Sequence, residues 1–259
     1  VERKKGVFNP RNELQEKFGR VIVMADGAHA FGAQWHGKMC GEIADFTNFS
    51  FHAVKNMTTA EGGAAVHRSH DGIDEEEMYK QYMLLSLHGQ TKDAYQKNKV
   101  ASWEYDVVDT QYKCNMTDLT AAFGLKQLAR FEGLIARRRR TAEIYDRFLL
   151  PQGIERLAHA QEDRQGNYHL YLVRVPGISV EQRNDIITKM AENGVACNVH
   201  FKPLPMMTAY KKLGFDIADF PNAYAQYANE ISLPMHTLLS DEDAEYVAEN
   251  FIAALKECR

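Results

Sequence analysis

The chain has 259 residues, of which 45% are hydrophobic and 25% charged. This is an ordinary globular composition that excludes disorder and leaves room for one large domain or one and a half. A formal net charge of -4 gives no electrostatic reason to expect a nucleic-acid partner, and no apolar stretch is long enough to span a bilayer. Cys40, Cys114, Cys197 and Cys258 are scattered with no Cys-x-x-Cys pair. They read as reduced thiols in a cytoplasmic protein, not as a disulfide frame or a zinc site.

The first elements are expected to be a short helix over 12–18 and a buried strand, Val21-Ile22-Val23-Met24, covered on both faces. Asp26 then lies just past the carboxyl end of that strand, where ligands bind in open α/β sheets. Two more strands are expected over 44–52 and 64–67, flanking a loop that carries Lys55. A helix follows over 74–87, with acidic residues in its first turn and Met78, Tyr82 and Leu85 on one face. After a polar loop over 90–109, a helix led by Thr117 runs to Leu128 and a second runs to Leu149. Pro151-Gln152-Gly153 marks a break.

Beyond it the pattern changes. A strand is expected over 169–175, a helix over 180–193 ended by Gly194, and a strand over 195–201. Helices follow over 206–213, 223–230 and 241–256. The expectation is therefore an α/β large domain over 1–150, with a mixed, mostly parallel sheet, and a small α+β domain over 151–259. The run Arg137 to Arg140 reads as a solvated or interface helix face, with one arginine able to meet a diphosphate.

The chemistry centres on Lys55, inside Ser50-Phe51-His52-Ala53-Val54-Lys55-Asn56-Met57-Thr58-Thr59-Ala60-Glu61-Gly62-Gly63. A strand that delivers a carboxylate, followed by a lysine in a Ser/Thr/Gly-rich loop, is what a pyridoxal phosphate site needs. The amine forms the Schiff base with the aldehyde, and the aspartate keeps the pyridinium nitrogen protonated. Asp26 and Lys55 are the catalytic candidates on this reading.

The ordered segments Asp26-Gly27-Ala28-His29, Phe49-Ser50-Phe51-His52-Ala53-Val54-Lys55-Asn56 and Glu61-Gly62-Gly63 closely resemble the DegT/DnrJ/StrS family of sugar aminotransferases. Leu87-His88-Gly89, Tyr112 to Leu119, Asn198 to Leu204 and Ile231 to Met235 resemble further signatures of that family. The resemblance implies a fold type I transferase that uses pyridoxal 5'-phosphate. Its substrates would be an amino-acid donor, L-glutamate, and a nucleotide-linked keto-sugar. It also implies a homodimer with shared active sites.

By the same resemblance Ser50 contacts the cofactor phosphate and His29 sits beside the cofactor's phenolic oxygen, although a histidine after a strand also serves as a packing residue. Lys113 and Asn115 would reach a phosphate, with a solvated loop lysine as the other reading of Lys113. His52 orients Lys55 or the substrate, or it packs. His88, Tyr95 and His200 are candidates to meet the sugar.

Family members carry a long segment ahead of the Asp26 strand, so the chain, which starts at Val1, reads as the C-terminal part of a longer protein. On that expectation residues 1–259 alone hold the cofactor weakly. Three rivals remain at this stage. A sugar dehydratase of the same family would have histidine in place of Lys55. A cofactor-binding regulatory or structural protein would lack turnover. A metal hydrolase would need more than the pair His67 and His70, and no His-Glu-x-x-His or cysteine cluster accompanies it.

Overall fold

The computed structural model describes residues 8–92, 97 and 103–258. They divide into two units, Val1–Ala129 and Arg130–Arg259.

In the first unit, helix α1 (Glu13–Phe18) is opened by Asn12, whose side chain accepts from Gln15 N–H, and closed by Gly19 at φ 60°. Strand β1 (Met24–Asp26) follows. Strands β2 (Gln34–Trp35) and β3 (Lys38–Met39) form a hairpin. Its two-residue loop has positive φ at both His36 and Gly37, the primed turn that matches strand twist. Strands β4 (Phe46–Ser50) and β5 (Gly63–His67) complete a three-stranded sheet of order β1-β4-β5. β1 runs parallel to β4 with Asp26 opposite Asn48, and β5 runs antiparallel with Gly63 opposite Ser50.

Helix α2 (Glu75–Ser86) is capped by Asp74, which accepts from the N–H groups of Glu76 and Glu77. Helix α3 (Asp118–Leu128) is capped by Thr117, which accepts from Thr120 N–H. Both caps sit where the sequence signals place them.

The strand expected over 21–24 is shifted: β1 begins at Met24 and Asp26 is its last residue. Nor are its side chains covered on both faces, because Val21, Val23 and Met24 are exposed. β1 is an edge of the described sheet, flanked only by β4, so its apolar residues lack the second neighbour that a central strand has.

In the second unit, helix α4 (Phe131–Leu149) packs on α8 (Asp241–Cys258), and α5 (Val180–Glu192) packs on α8 as well. A sheet of order β10-β9-β6 joins β6 (Glu155–Arg156), β9 (Tyr171–Arg174) and β10 (Glu230–Leu233) in antiparallel pairs. Strands β7 (Ala160–Gln161) and β8 (Arg164–Gln165) form a hairpin. Helices α6 (Thr208–Lys212) and α7 (Pro221–Ala228) precede β10. Tyr145, Leu149, Tyr171, Val173, Ile186, Ile231 and Phe251 form its buried core. Ser179 and Gln182 make the reciprocal capping box that opens α5.

Three expectations change here. Residues 195–201 are not a strand; they make one bridge, Asn198 to Ser232, because the next free N–H, that of His200, goes to the Glu230 carboxylate at 2.9 Å. The helix expected over 223–230 stops at Ala228, and Glu230 opens β10. The arginine run is a solvated face only in part: Arg139 and Arg140 are exposed, but Arg138 is buried and donates to the carbonyls of His169 and Met235, while Arg137 and Arg140 pair with Asp241. The turn at Pro151 lies within the second unit, since α4 packs there.

One charge cluster anchors the first unit. Asp45, 2% exposed, takes two hydrogen bonds from Arg20 at 2.6 and 2.7 Å, one from Val23 N–H at 2.8 Å and one from Arg68 at 3.3 Å. The Arg20 hydrogen bond is the main cause holding the Asp45 carboxyl below the usual carboxylate range. A depressed carboxyl stabilises the fold above its unfolded pKa, and that stability is lost as pH falls through the folded value. Arg20→Ala is expected to destabilise this unit by about 3 kcal/mol, since it strands a buried charge, and to blunt its sensitivity to acid below about pH 4. Both tryptophans, Trp35 and Trp103, belong to this unit. Urea titrations followed by tryptophan fluorescence at neutral and acid pH therefore measure it directly. An unchanged midpoint at neutral pH contradicts the assignment.

Candidate active site

The candidate residues of the first unit gather around the ends of β1 and β4. Asp26 closes β1, and its Oδ1 accepts from Ala28 N–H at 3.0 Å in a tight turn. Its Oδ2 has no partner among the described residues. Gly27 N–H donates to the Asn48 carbonyl at 2.8 Å, which seats the turn against β4. A Cβ on Gly27 would stand 2.8 Å from Thr47 Cγ2 and 3.0 Å from the Asn48 oxygen, so only glycine permits this approach. Phe31, two residues past His29, meets Phe49 and Phe51 edge-on at 5.4 Å each. His29 itself is exposed on the turn.

Ser50 is the last residue of β4, and its hydroxyl oxygen accepts from His52 N–H at 3.3 Å. The hydroxyl proton is left to donate elsewhere. The chain then turns: Lys55 N–H returns to the His52 carbonyl at 2.9 Å. Lys55 is half-buried, and its amine has no hydrogen bond or ion pair among the described residues. His52 is exposed and lies 3.5 Å from Glu61.

The loop is held from behind. Thr59 N–H and the Thr58 hydroxyl both donate to the Phe51 carbonyl, at 2.9 and 3.1 Å. Thr59 also donates its hydroxyl proton to the Glu61 carbonyl at 2.8 Å. Asn56, Met57 and Thr59 are buried. A Cβ on Gly124 of α3 would come within 2.9 Å of Thr59 Cγ2, so the loop sits tightly on that helix.

A second segment stands beside it. Leu87 and Lys113 form an antiparallel bridge, and His88 N–H donates to the Tyr112 carbonyl at 2.8 Å. Leu87 and His88 therefore share a short backbone pairing with Lys113 and Tyr112. The Lys113 ammonium donates to the Asn115 side-chain oxygen. A Cβ on Gly62 would stand 3.0 Å from the Met116 methyl, which brings this segment against the lysine loop. Tyr95 lies outside the described residues. His200 belongs to the second unit, where its Nδ1 meets Ser232 Oγ at 2.7 Å and its backbone N–H meets Glu230.

The structure thus sets Asp26 and Ser50 at neighbouring strand ends, with Lys55 on the loop after β4, and pairs the backbones of Leu87 and His88 with those of Lys113 and Tyr112. Sequence reasoning missed Glu230 and Ser232. Their alternation with Ile231 and Leu233 was the available signal, obscured by the helix expected up to Glu230.

The model of the DegT/DnrJ/EryC1/StrS aminotransferase family matches residues 12–252. The chain belongs to this family. It is 36% identical over 238 residues to the spore coat polysaccharide biosynthesis protein SpsC of Bacillus subtilis, covering 88% of this chain and 58% of that protein. A solved putative sugar aminotransferase of Streptococcus pneumoniae, Spr1654 in its PMP form, superposes with a TM-score of 0.96 at 50% identity, over all of this chain and 65% of that one. Helicobacter pylori PseC, an aminotransferase involved in the biosynthesis of pseudoaminic acid, superposes with a TM-score of 0.81 at 27% identity, over 95% of this chain and 62% of that one. The chain therefore spans less than two thirds of the length of these relatives. Its fold is that of the fold type I aminotransferases of the DegT/DnrJ/EryC1/StrS family.

The glycine pair at the loop's exit is the sharpest steric constraint on the lysine loop. A Cβ on Gly63 would stand 2.5 Å from the Phe49 carbonyl oxygen, a backbone atom that cannot move aside alone. Gly63→Ala is expected to destabilise the first unit by about 1–3 kcal/mol through overpacking. The same fluorescence-detected urea titration checks this, and an unchanged midpoint contradicts it.

Proposed function

We propose that this chain carries the main part of a pyridoxal-phosphate-dependent sugar aminotransferase. It would transfer an amino group from L-glutamate to a nucleotide-linked keto-sugar, in the biosynthesis of a polysaccharide, lipopolysaccharide or antibiotic sugar. The observation that carries the reading is the uncommitted, half-buried Lys55 amine on the loop after β4, with the Asp26 carboxylate at the end of the neighbouring parallel strand.

The residues present fit the cofactor. Asp26 Oδ2 and the Lys55 amine are both without partners among the described residues, and the Ser50 hydroxyl proton is free to donate. Bound pyridoxal phosphate supplies an aldehyde that takes up the amino group and a ring that withdraws electrons from the reacting carbon. Asp26 holds a proton on the ring nitrogen, and Ser50 donates to the phosphate. Lys55 supplies the amine that binds the aldehyde carbon. As a free amine it would carry a proton between the donor Cα and cofactor C4′.

His29 borders the cofactor's phenolic oxygen, and Lys113 and Asn115 serve a phosphate, in our reading that of the partner subunit of a homodimer. His52, His88, Tyr95 and His200 are proposed to meet the sugar. No helix among the described residues is long and apolar enough to cross a membrane, and the assignment of the protein to the cytoplasm belongs to this proposal.

Three outcomes are expected. Borohydride reduction of the cofactor-loaded protein fixes a pyridoxyl group on the peptide containing Lys55, and Lys55→Ala abolishes turnover measured as 2-oxoglutarate release from glutamate. Label on a different lysine removes the assignment. Mixing Lys55→Ala protein with Asn115→Ala protein restores part of the activity through hybrid dimers. A fully active monomer in solution rules out the shared site.

A further inference from the structure

In the second unit a chain of three side chains ends on a cavity. Glu230 is 1% exposed. Its Oε2 accepts from the His200 backbone N–H at 2.9 Å, and its Oε1 lies 2.7 Å from Ser232 Oγ. Ser232 Oγ in turn lies 2.7 Å from His200 Nδ1. His200 lines a cavity of about 390 Å³ whose walls include Phe201, Pro203, Leu204, Phe220 and Tyr227. Nδ1 is committed to Ser232, and Nε2 has no partner among the described residues.

Donor and acceptor roles along this chain follow from charge. Arg183 is buried, with its guanidinium donating to the carbonyls of Tyr227 and Glu230 at 3.0 and 3.3 Å and stacking over the Tyr227 ring. Burial pushes the Glu230 carboxyl up from its usual range, while the hydrogen bonds from Ser232 and from the His200 backbone N–H, and the positive charge of Arg183, favour its ionised form. As a carboxylate Glu230 only accepts. Ser232 must therefore give its proton to Glu230, so its oxygen accepts from His200, and the imidazole proton is placed on Nδ1. Burial favours the neutral imidazole, and its remaining nitrogen then carries a lone pair.

We propose that Glu230 and Ser232 are positioning residues that fix His200 in the Nδ1–H tautomer, so that Nε2 accepts a hydrogen bond from a sugar hydroxyl lying against the apolar wall of the cavity. The proposal deepens the reading of His200 as a sugar contact and rests on it for the ligand, while the tautomer stands on the protein alone. A histidine at this place selects a hydroxyl or amide N–H over a carbonyl or ether oxygen.

Glu230→Gln gives a test of sign. The His200 backbone N–H still needs an acceptor, so the new amide oxygen must face it and the new NH₂ must face Ser232. Ser232 then donates to Nδ1, and the ring proton moves to Nε2.

The experiment uses cofactor-loaded protein labelled with ¹⁵N-histidine, with the His200 signals assigned by His200→Gln. The expected wild-type spectrum shows a pyrrole-like Nδ1 and a pyridine-like Nε2 at His200, and in Glu230→Gln the two are exchanged. Ser232→Ala, which removes the bridging oxygen with little change in volume, abolishes the fixed Nδ1–H form and covers the case in which Glu230→Gln fails to fold. A wild-type ring protonated on Nε2, or an Nδ1–H form unchanged in either variant, overturns the proposal.

Addition of a UDP-linked hexose as probe is expected to shift the wild-type Nε2 resonance and to leave that of Glu230→Gln in place. If the tautomers behave as expected and the probe shifts neither, the positioning array stands and the sugar contact assigned to His200 falls.

Discussion

The parallel pairing of β1 with β4 is the constraint on which the candidate active site depends. Asp26 ends one strand and Ser50 the other, so a slip of one residue would turn Asp26 to the opposite face of the sheet. Three hydrogen-bonded residues a side are too few to hold that register unaided. The register is clamped at both ends. At the entry, buried Asp45 ties Arg20 and the Val23 backbone to the start of β4. At the exit, Gly27 presses on Thr47 and Asn48 at a distance no side chain would allow. The charge cluster far from the chemistry thus sets where the carboxylate stands relative to the lysine loop.

The same economy explains the composition of the loop itself. A Ser/Thr/Gly-rich stretch around a lysine suggests donors for a phosphate, yet Thr58 and Thr59 spend their hydroxyl protons on the carbonyls of Phe51 and Glu61. They close the loop on itself, where backbone groups would otherwise be left unpaired. Gly62 and Gly63 clear space for Thr59 and for the Phe49 carbonyl. Only Ser50, at the strand end, keeps a hydroxyl proton free.

What was legible in the sequence follows from the range of the interactions. Asp74, Thr117 and Ser179 cap their helices through bonds to residues two or three positions on, so local reading found those helices. The Lys55 loop was legible because its residue types are dictated by local turns. The segment over 195–201 misled because its apolar run looks like a strand, while its backbone is claimed by Glu230 and Ser232, some thirty residues away. Position 230 misled in the opposite way. Asn229 stops α7, and its side chain accepts from Arg174 on β9, a contact with no local signature. The Glu230, Ser232 and His200 array depends on both of these non-local features and so was invisible.

The arginine run from 137 to 140 shows why four like charges in one helix need not repel it from the core. Arg138, Thr141, Ala142, Tyr145 and Leu149 follow the spacing of one helical face and are all buried. The Arg138 guanidinium ends on three carbonyls, those of Tyr168, His169 and Met235, and burial lowers its pKa to about 10. That still leaves it charged at neutral pH, so the carbonyl dipoles, not a carboxylate, carry the compensation. Arg137 and Arg140 leave the helix on another side and share Asp241, in the first turn of α8, where a carboxylate is already favoured by the helix dipole. Arg139 lies 5.7 Å from the Tyr168 ring. Each guanidinium has a fixed partner, and the run pins α4 to the segment before β9, to the segment after β10 and to the start of α8 at once. A charge run of this kind is structural when each charge finds a fixed partner. It becomes a candidate anion site only when one of them is left without one.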